Sequence, residues 1–451
     1  MNLRSKFVRK ALPDWALGVA GNVSINVVAR GFGLWSAALL ARMLHPTGYG
    51  IYSYVYAIVA TLAIPAQFGI PTVVSREIAV CSSLHRWGLG RGVIRWANWS
   101  IFVITVILVA LSSLLLFIKA PRLPTPEFDT YALALALIPL LALDSLRGGI
   151  LTGLRRVVLG RLPGEMLRPF VMCCALLVAS ALAPSMFSTP LEAIALTVCA
   201  AMTAYVIGGL ILWRVRPVEL KTVKPEYAVR HWNLSALPIG LTGGIGVLSQ
   251  TAGLLIVGSM LPKAVVGQYR VAFLGANLVL MCQGALTNGL APYYAQFAAK
   301  RDHASLRHFS ARHAQAALLM SAPLTAIYIA FGSKLLALFF GPSYSQAYWP
   351  LVILSIGHLS EAAVGSAGII LYMAKEETSA LFGSATGSVI NVCAGLMLVP
   401  KIGINGAAIA AASSEIVCVL IWSWGVWRRL AIIAGPIPIL MSRAIKQRGK
   451  D

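Results

Sequence analysis

The stretch NWSIFVITVILVALSSLLLFI, residues 98–118, indicates the class of fold because it contains no charged side chain over its whole length. A helix of that length, rising about 1.5 Å per residue, crosses the hydrocarbon core of a bilayer, which is about 30 Å thick. Hydrophobic residues make up 58% of the 451 and charged residues only 12%, with a mean hydropathy of +0.78. A soluble domain with a polar exterior does not have this composition. We therefore expect a membrane protein.

Eleven more long apolar stretches accompany this one. Backbone groups in the hydrocarbon core must be satisfied within the protein, and long continuous apolar runs predict helices there. The expected class is an all-α polytopic membrane protein with about twelve transmembrane helices. The expected spans are 15–42, 50–79, 98–118, 130–154, 158–183, 190–213, 234–261, 268–295, 313–340, 347–373, 378–400 and 403–426.

The basic residues are sorted by side. Of the 37 Lys and Arg residues, 27 lie at the two ends and in every second connection, and three lie deep in spans, namely Arg30, Arg147 and Arg168. Because basic loops stay in the cytoplasm, both termini are predicted to be cytoplasmic. The net charge of +22 would also suit a nucleic-acid binder. However, the basic residues are dispersed over short loops without a nucleic-acid fold signature, so we expect membrane lipids and no nucleic acid as partners.

The first apolar run is expected to remain attached as a spanning helix. It exceeds signal-peptide length and lacks a small-residue cleavage site. The seven cysteines have neither metal-ligand nor redox spacing and are interpreted as small apolar fillers. The sequence thus predicts no metal and no cofactor.

A basic connection after the sixth span divides the chain into two halves of six helices. Two six-helix repeats have the same orientation and are related by an axis along the membrane normal, as in transporters whose substrate path lies between halves. An offset of 217 residues superposes Met43 on Met260, Leu44 on Leu261, Gly50 on Gly267 and Tyr52 on Tyr269, although chance similarity between apolar segments also produces such matches. The expected divisions are an N-terminal lobe at 1–214, a cytoplasmic loop at 215–233, a C-terminal lobe at 234–426 and a basic cytoplasmic tail at 427–451.

Several stretches carry a resemblance to a known family. They are AALLARMLHPTGYGIYSYVYAI (37–58), FGIPTVVSREIA (68–79), GSMLPKAVVGQYRVAFLGAN (258–277), APYYAQFA (291–298) and LVPKIGINGAAIAAASSEIV (398–417). With them the chain resembles the polysaccharide-exporter branch of the multidrug/oligosaccharidyl-lipid/polysaccharide flippase superfamily, the Wzx-type O-antigen and exopolysaccharide-repeat flippases. The resemblance covers about 10–430. His45-Pro46 departs from it, since the family usually has Gly-Pro after the first helix.

The resemblance implies two six-helix lobes around a central cavity that opens alternately to the cytoplasm and the periplasm. The implied cargo is an oligosaccharide on an undecaprenyl pyrophosphate carrier. The implied location is the bacterial inner membrane, where a polysaccharide polymerase and chain-length machinery would be partners. No covalent catalysis is implied, so the protein is not expected to be an enzyme.

Charged residues at membrane depth are the candidate site residues of the first lobe, because they usually face a cavity or a partner there. Asn22, Asn26 and Arg30 share one face of the first helix and would offer a cation to pyrophosphate and amides to sugar hydroxyls. An interhelical hydrogen-bond cluster is the alternative.

The fourth and fifth helices carry five more charged residues. Two sets can pair internally, and a structural ion-pair network is therefore an alternative to ligand or ion binding. The fifth helix has two arginines for one glutamate, so Arg168 is the better substrate ligand of the two, while Arg161 lies near enough to the cytoplasm to reach it. The sets are Asp144 with Arg147, and Arg161 with Glu165 and Arg168.

The second lobe has fewer deep charges, namely Glu361, His358 and Glu415. They are candidates for coupling to H+ or Na+, since a carboxyl group in a medium of low dielectric constant can exchange a proton near neutral pH. Structural hydrogen bonding is the alternative. Asp144 and Glu165 are further coupling candidates. Arg270 lies at the expected periplasmic end and is a candidate for binding the pyrophosphate as it leaves the cavity.

Two other functions compete with the flippase. A multidrug extruder of the same superfamily would predict a cavity richer in acids than in bases. An integral-membrane glycan polymerase or ligase would predict a long outside loop and a catalytic constellation, and neither is found in the sequence.

Bends are expected in the second helix at Pro65, Gly69 and Pro71, and in the seventh at its glycine-rich start. Close packing of glycine- and alanine-rich helices is the alternative explanation of these small residues.

Overall fold

The helices expected from the apolar spans are present in the computed structural model of the chain, which describes residues 14–122, 124–182, 188–300, 302–364, 367–374, 376–430 and 432. Over these residues the regular structure is helical and no strand occurs. The all-α class predicted from hydropathy is confirmed.

The described α-helices are labelled in chain order. A π-helix, Leu162–Leu167, joins the sixth to the seventh, and short 3-10 turns occupy Ala120–Arg122 and Pro342–Ala347. The helices are α1 (Asp14–Gln67), α2 (Ile70–Ser83), α3 (Trp87–Lys119), α4 (Thr125–Ala134), α5 (Leu137–Gly153), α6 (Val157–Arg161), α7 (Arg168–Leu182), α8 (Pro190–Val215), α9 (Glu219–Thr222), α10 (Val229–Met260), α11 (Lys263–Ala299), α12 (His303–Phe340), α13 (Tyr348–Val364), α14 (Ala367–Met373), α15 (Glu377–Ile402) and α16 (Ile404–Leu430).

Eleven helical segments within the described residues are long and apolar enough to cross a membrane. The first of them, Val28–Gln67, has 40 residues, which is about twice the length that one crossing needs. His45 interrupts it with a non-helical backbone, φ 55° and ψ 173°. Division of this segment at His45 gives twelve spans, in agreement with the number expected.

The chain folds into two compact units. Unit 1 comprises the chain up to Leu44 together with Val55–Val247, and unit 2 comprises His45–Tyr54 together with the chain from Leu248 onward. Each unit thus takes part of α1 and part of α10. The lobe boundaries expected from the sequence, 1–214 and 234–426, stay a prediction.

Glycines bring α2, α5 and α6 close together in unit 1. A Cβ on Gly153 would lie 2.6 Å from the carbonyl oxygen of Ser75 on α2. Gly148 and Gly160 face each other in the same way, with the Cβ of each 2.8–3.1 Å from the carbonyl oxygen of the other. Small residues allow such close helix contacts in a bilayer. This packing fixes α5 and α6, which carry charged residues of the site.

The first part of α10 is anchored within unit 1. Its Trp232 is buried, and the Trp232 ring lies 5.4 Å from the ring of Trp96 on α3. Arg76, in the middle of α2, donates to the Ser235 hydroxyl at 3.0 Å and also pairs with Glu77 at 3.1 Å. These contacts explain why α10 begins in unit 1.

Unit 2 contains a reciprocal contact between the stretch after His45 and the start of α11. A Cβ on Gly50 would overlap the carbonyl oxygen of Lys263, and a Cβ on Gly267 would overlap that of Pro46. Pro46 and Lys263 are separated by the same 217 residues as Gly50 and Gly267. Each stretch therefore contacts the other with equivalent residues, which is the pattern of a two-fold relation.

Candidate functional site: a charged cavity in unit 1

A cavity of about 400 Å³ in unit 1 brings three of the predicted site residues together. Asp144 reaches it from α5, Glu165 from the π-helix and Arg168 from the start of α7. Gln67, Ser145, Thr152 and Arg161 add polar groups to its lining. The cavity is therefore lined by both signs of charge on helices of spanning length.

The π-helix places Glu165 and Arg168 on the cavity. An ordinary α-helix was expected over 158–183, but the N–H of Arg168 bonds to the carbonyl of Pro163, five residues back. Pro163 is buried and starts this wider turn. All three charged residues still line the cavity. Single π-turns inside helices are frequent at functional sites.

Gly164 brings this turn against the Asp144 carboxylate. A Cβ at position 164 would overlap Oδ2 of Asp144, so any other residue here would displace the carboxylate. The carboxylate is thereby held between α5 and the π-helix at the cavity wall.

Arg147 is part of the wall and not of the lining. Its guanidinium pairs with Asp144, donates to the carbonyl of Tyr205 and lies 5.4 Å from the centre of the Tyr205 ring. Only 4% of the Arg147 side chain is exposed, against 21% for Asp144. Gly208 packs against the guanidinium. These surroundings favour the ion-pair alternative for Arg147 over direct substrate binding.

Arg168 differs from the other cations of the cavity. Arg161 lies 3.8 Å from Glu165, and Arg147 is paired with Asp144. Among the described residues no carboxylate lies within ion-pair distance of Arg168, which is half-buried at the cavity. Counted together with Arg147 of the wall, three arginines therefore surround the cavity against two carboxylates, and Arg168 is the cation in excess.

A second, smaller cavity of about 270 Å³ adjoins the first. The two share Ala60, Gln67 and Ser145. Its wall includes the break between α1 and α2, where Phe68 and Gly69 have φ angles of 34° and 73°. This break confirms the bend predicted from Pro65, Gly69 and Pro71, since Gly69 tolerates a left-handed backbone and Pro71 starts a new helix.

Sequence reasoning missed the neutral polar residues of the lining. Gln67, Ser145 and Thr152 carry no charge, and isolated neutral polar residues in apolar spans do not by themselves indicate a site. Gln67 lies within the predicted bend, between Pro65 and Gly69, and a polar residue at that position is a signal present in the sequence.

Arg30, predicted on the first helix, is not among the residues that line this cavity. Arg30 is exposed on α1 in unit 1. Asn22 and Asn26 belong to the same helix, but their side chains lie outside the described part of the structure. Whether the three form one polar face toward a ligand stays a prediction.

The predicted residues of the second lobe form a cluster in unit 2. Nδ1 of His358 on α13 lies 2.9 Å from a carboxylate oxygen of Glu415 on α16. Gln283 on α11 donates to the carbonyl of His358 at 2.7 Å. The sequence placed His358 beside Glu361, three residues along its own helix, whereas its ion-pair partner is Glu415. The imidazole is buried. Its Nε2 has no hydrogen-bond partner among the described residues, and the Nδ1 contact with Glu415 is close but not aligned as a hydrogen bond.

Arg270 occupies the start of α11 in unit 2. It is half-buried and lies 5.8 Å from the centre of the Phe273 ring, near the hydroxyl of Tyr49.

Within the described part of the chain no group of three or more His, Cys, Asp and Glu residues is placed to hold a metal ion.

Comparison with known proteins gives the family. The family model described as polysaccharide biosynthesis protein matches residues 17–297, more than half of the chain. The chain belongs to this family. The chain is also 22% identical over 402 residues to the probable low-salt glycan biosynthesis flippase Agl15 of Haloferax volcanii, a match that covers 86% of the chain and 78% of the relative.

Two solved structures show the fold. The lipid II flippase MurJ in an inward closed conformation superposes with a TM-score of 0.68 at 12% identity, covering 89% of the chain and 86% of MurJ. An inward-facing multidrug transporter of the MATE family, in the MOP superfamily, gives 0.67 at 13% identity, covering 92% and 98%. The chain therefore has the polytopic fold of these transporters, as the resemblance implied.

Proposed function

We propose that the protein is a flippase that moves undecaprenyl-pyrophosphate-linked oligosaccharide repeat units from the cytoplasmic to the periplasmic leaflet by alternating access. Its product would feed O-antigen, capsule or exopolysaccharide synthesis. The family and the flippase relative support this proposal. The observation that carries it is the excess cation, Arg168, in a cavity between helices of spanning length.

The lining suits the chemistry of such a headgroup. A guanidinium without a carboxylate partner can form two parallel hydrogen bonds with a phosphate. Gln67, Ser145 and Thr152 can bond to sugar hydroxyls, and the carboxylates of Asp144 and Glu165 can accept hydrogen bonds from them. The cavity of about 400 Å³ lies within the range of ligand pockets.

The test is a flipping assay in proteoliposomes. A fluorescent undecaprenyl-pyrophosphate oligosaccharide is incorporated, and its appearance in the other leaflet is followed by a membrane-impermeant quencher. Wild-type protein should flip this lipid and Arg168→Ala should not. Arg156→Ala is the matched control. Arg156 is an exposed cation between α5 and α6, and it does not line the cavity. Equal flipping by all three proteins would refute the proposal.

The cluster in unit 2 is proposed to couple transport to H+ or Na+. Glu361 is a carboxylic acid on the helix that also presents His358 to Glu415. Glu361→Gln preserves the shape of the side chain and removes its titration. The variant should still bind the lipid-linked oligosaccharide but lose the response of flipping to an imposed pH gradient. An unchanged response would make Glu361 a structural residue, and a response to a Na+ gradient alone would assign Na+ as the coupling ion.

A cation-coupled multidrug extruder is the second candidate, favoured by the similarity of the fold to a MATE transporter. The excess positive charge of the unit 1 cavity disfavours cationic drugs. Cells that express the protein should therefore show no increase in ethidium efflux.

The proposed setting is the inner membrane of a bacterium with both termini in the cytoplasm, where a polymerase and chain-length machinery would take over the product.

A further inference from the structure

A small cavity at one end of unit 2 lies apart from the residues assigned above. It has a volume of about 170 Å³ and lies between the start of α15 and the end of α16. Thr378 and Ser379 line it from α15, while Trp424, Arg428 and Arg429 line it from α16. From these contacts we infer that it binds the phosphate headgroup of an anionic phospholipid of the surrounding bilayer.

The two arginines supply the positive charge. Arg428 lies 5.1 Å from the centre of the Trp424 ring, so its guanidinium is held over an aromatic face. Among the described residues it forms no ion pair with a carboxylate. Arg429 lies 3.5 Å from Glu376 and compensates that carboxylate, while the exposed Glu377 at the start of α15 is not among the residues that line the cavity. Arg428 therefore remains as an uncompensated cation.

The start of α15 adds backbone donors. Glu376 is its N-cap, but the Glu376 side chain makes no capping hydrogen bond. The first N–H groups of a helix have no partner within the helix and attract phosphate, aided by the helix dipole. The hydroxyls of Thr378 and Ser379 lie at the same end. Cations, backbone N–H groups and hydroxyls thus converge on one small cavity.

The apolar side of the cavity indicates a lipid as the source of the phosphate. Phe382 and Trp424, which line the cavity, expose 63% and 52% of their surfaces, and Trp427, which precedes Arg428 in the chain, exposes 58%, although each belongs to a helix of spanning length. Tryptophans in such positions lie at the boundary between headgroups and acyl chains. A volume of about 170 Å³ is also below the range of pockets for larger ligands, so it suits a phosphodiester better than a sugar-bearing pyrophosphate.

The experiment uses the full-length protein in phosphatidylcholine nanodiscs doped with a diazirine derivative of phosphatidylglycerol. After illumination, cross-linked peptides are mapped by mass spectrometry. Labels should concentrate on 377–382 and 421–429. Since each interfacial cation strengthens binding of an anionic lipid about fivefold, Arg428→Gln with Arg429→Gln should lower occupancy there about 25-fold. Arg214→Gln with Arg216→Gln removes the same charge from the end of α8 and should leave these labels unchanged.

Two further measurements test the lipid site, one with a cavity-filling variant and one with inorganic phosphate as competitor. Ser379→Leu fills the cavity and retains both arginines, so it should also lower labelling and serves if the double variant fails to fold. Excess inorganic phosphate should not displace the lipid, because the apolar wall holds it. Labelling that is equal with a phosphatidylcholine probe, unaffected by both variants, equally lowered by the control, or abolished by inorganic phosphate would overturn the lipid site.

Discussion

Removal of Arg147 should lower the stability of the protein, whereas removal of Arg168 should weaken ligand binding, although both are arginines at membrane depth in unit 1. Arg147 is 4% exposed and paired with Asp144, whereas no carboxylate among the described residues pairs with Arg168. Loss of one partner of a buried pair costs about 3–5 kcal/mol, because the other charge is left uncompensated. Loss of an unpaired cation leaves no such orphan. Stability and ligand binding should therefore separate between the two sites.

The magnitudes follow from the exposure of each partner. Arg147→Ala should cost about 3 kcal/mol, the lower end of the range, because the orphaned Asp144 is 21% exposed and can be hydrated from the cavity. Asp144→Asn should cost more, about 5 kcal/mol, because it leaves a cation that is 4% exposed. Arg168→Ala should change stability by about 0.5 kcal/mol or less. It should weaken binding of the pyrophosphate headgroup by the value of one charged hydrogen bond, about 1.5–3 kcal/mol, or roughly 10–150-fold.

The assays are thermal unfolding of purified variants in detergent and binding of a fluorescent undecaprenyl-pyrophosphate lipid. The double variant Asp144→Asn with Arg147→Met removes both charges and should be more stable than either single variant. Equal thermal destabilisation by Arg147→Ala and Arg168→Ala would refute the division of roles. So would a stable Arg147→Ala protein that has lost only binding.

Three other predictions address packing, the first helix and topology. Gly50→Ala should destabilise by roughly 1–3 kcal/mol in thermal unfolding, because its Cβ meets a backbone carbonyl that cannot turn aside, while Gly209→Ala, whose Cβ meets nothing within 4 Å, should be neutral or slightly stabilising. In an export assay at matched protein levels, Arg30→Lys should retain partial export and Arg30→Ala should abolish it, because a point charge attracts pyrophosphate without the bidentate fork; full export by Arg30→Ala would contradict a ligand role. Single cysteines in 45–49, 120–128 and 343–346 should react with an impermeant reagent from outside, and reaction of cysteines in 217–229 would contradict the predicted topology.

The spans were predictable because hydropathy acts locally. A run such as 98–118 has no alternative to a helix in the bilayer, whatever its neighbours are, and α3 contains all of it. The kink at His45 was less accessible. The sequence placed a loop there, whereas in the structure two helices meet at His45, where the backbone turns within a single residue of positive φ.

The site was predictable by residue but not by assembly. Asp144, Glu165 and Arg168 stood out because charge at depth is expensive, and all three line the cavity. The role of Arg147 depends on Tyr205, 58 residues away, which no local pattern reveals. The contact between His358 and Glu415 likewise depends on the packing of α13 against α16. The π-helix has no reliable sequence signature, since a proline at this position equally suits the first turn of an ordinary helix.

The excess cation of the unit 1 cavity has a consequence for the proposed transport cycle. A guanidinium without a carboxylate partner is tolerated at membrane depth while water or a ligand reaches it, and its desolvation costs several kcal/mol. A cavity that closed empty over Arg168 would incur that cost in full, whereas a bound pyrophosphate would offset it with charged hydrogen bonds. The same residue that binds the headgroup would then also disfavour closure without cargo. Under this scheme Arg168→Ala would lose binding and, in addition, allow the empty carrier to change state more readily, which spin labels across the cavity mouth can measure without any substrate.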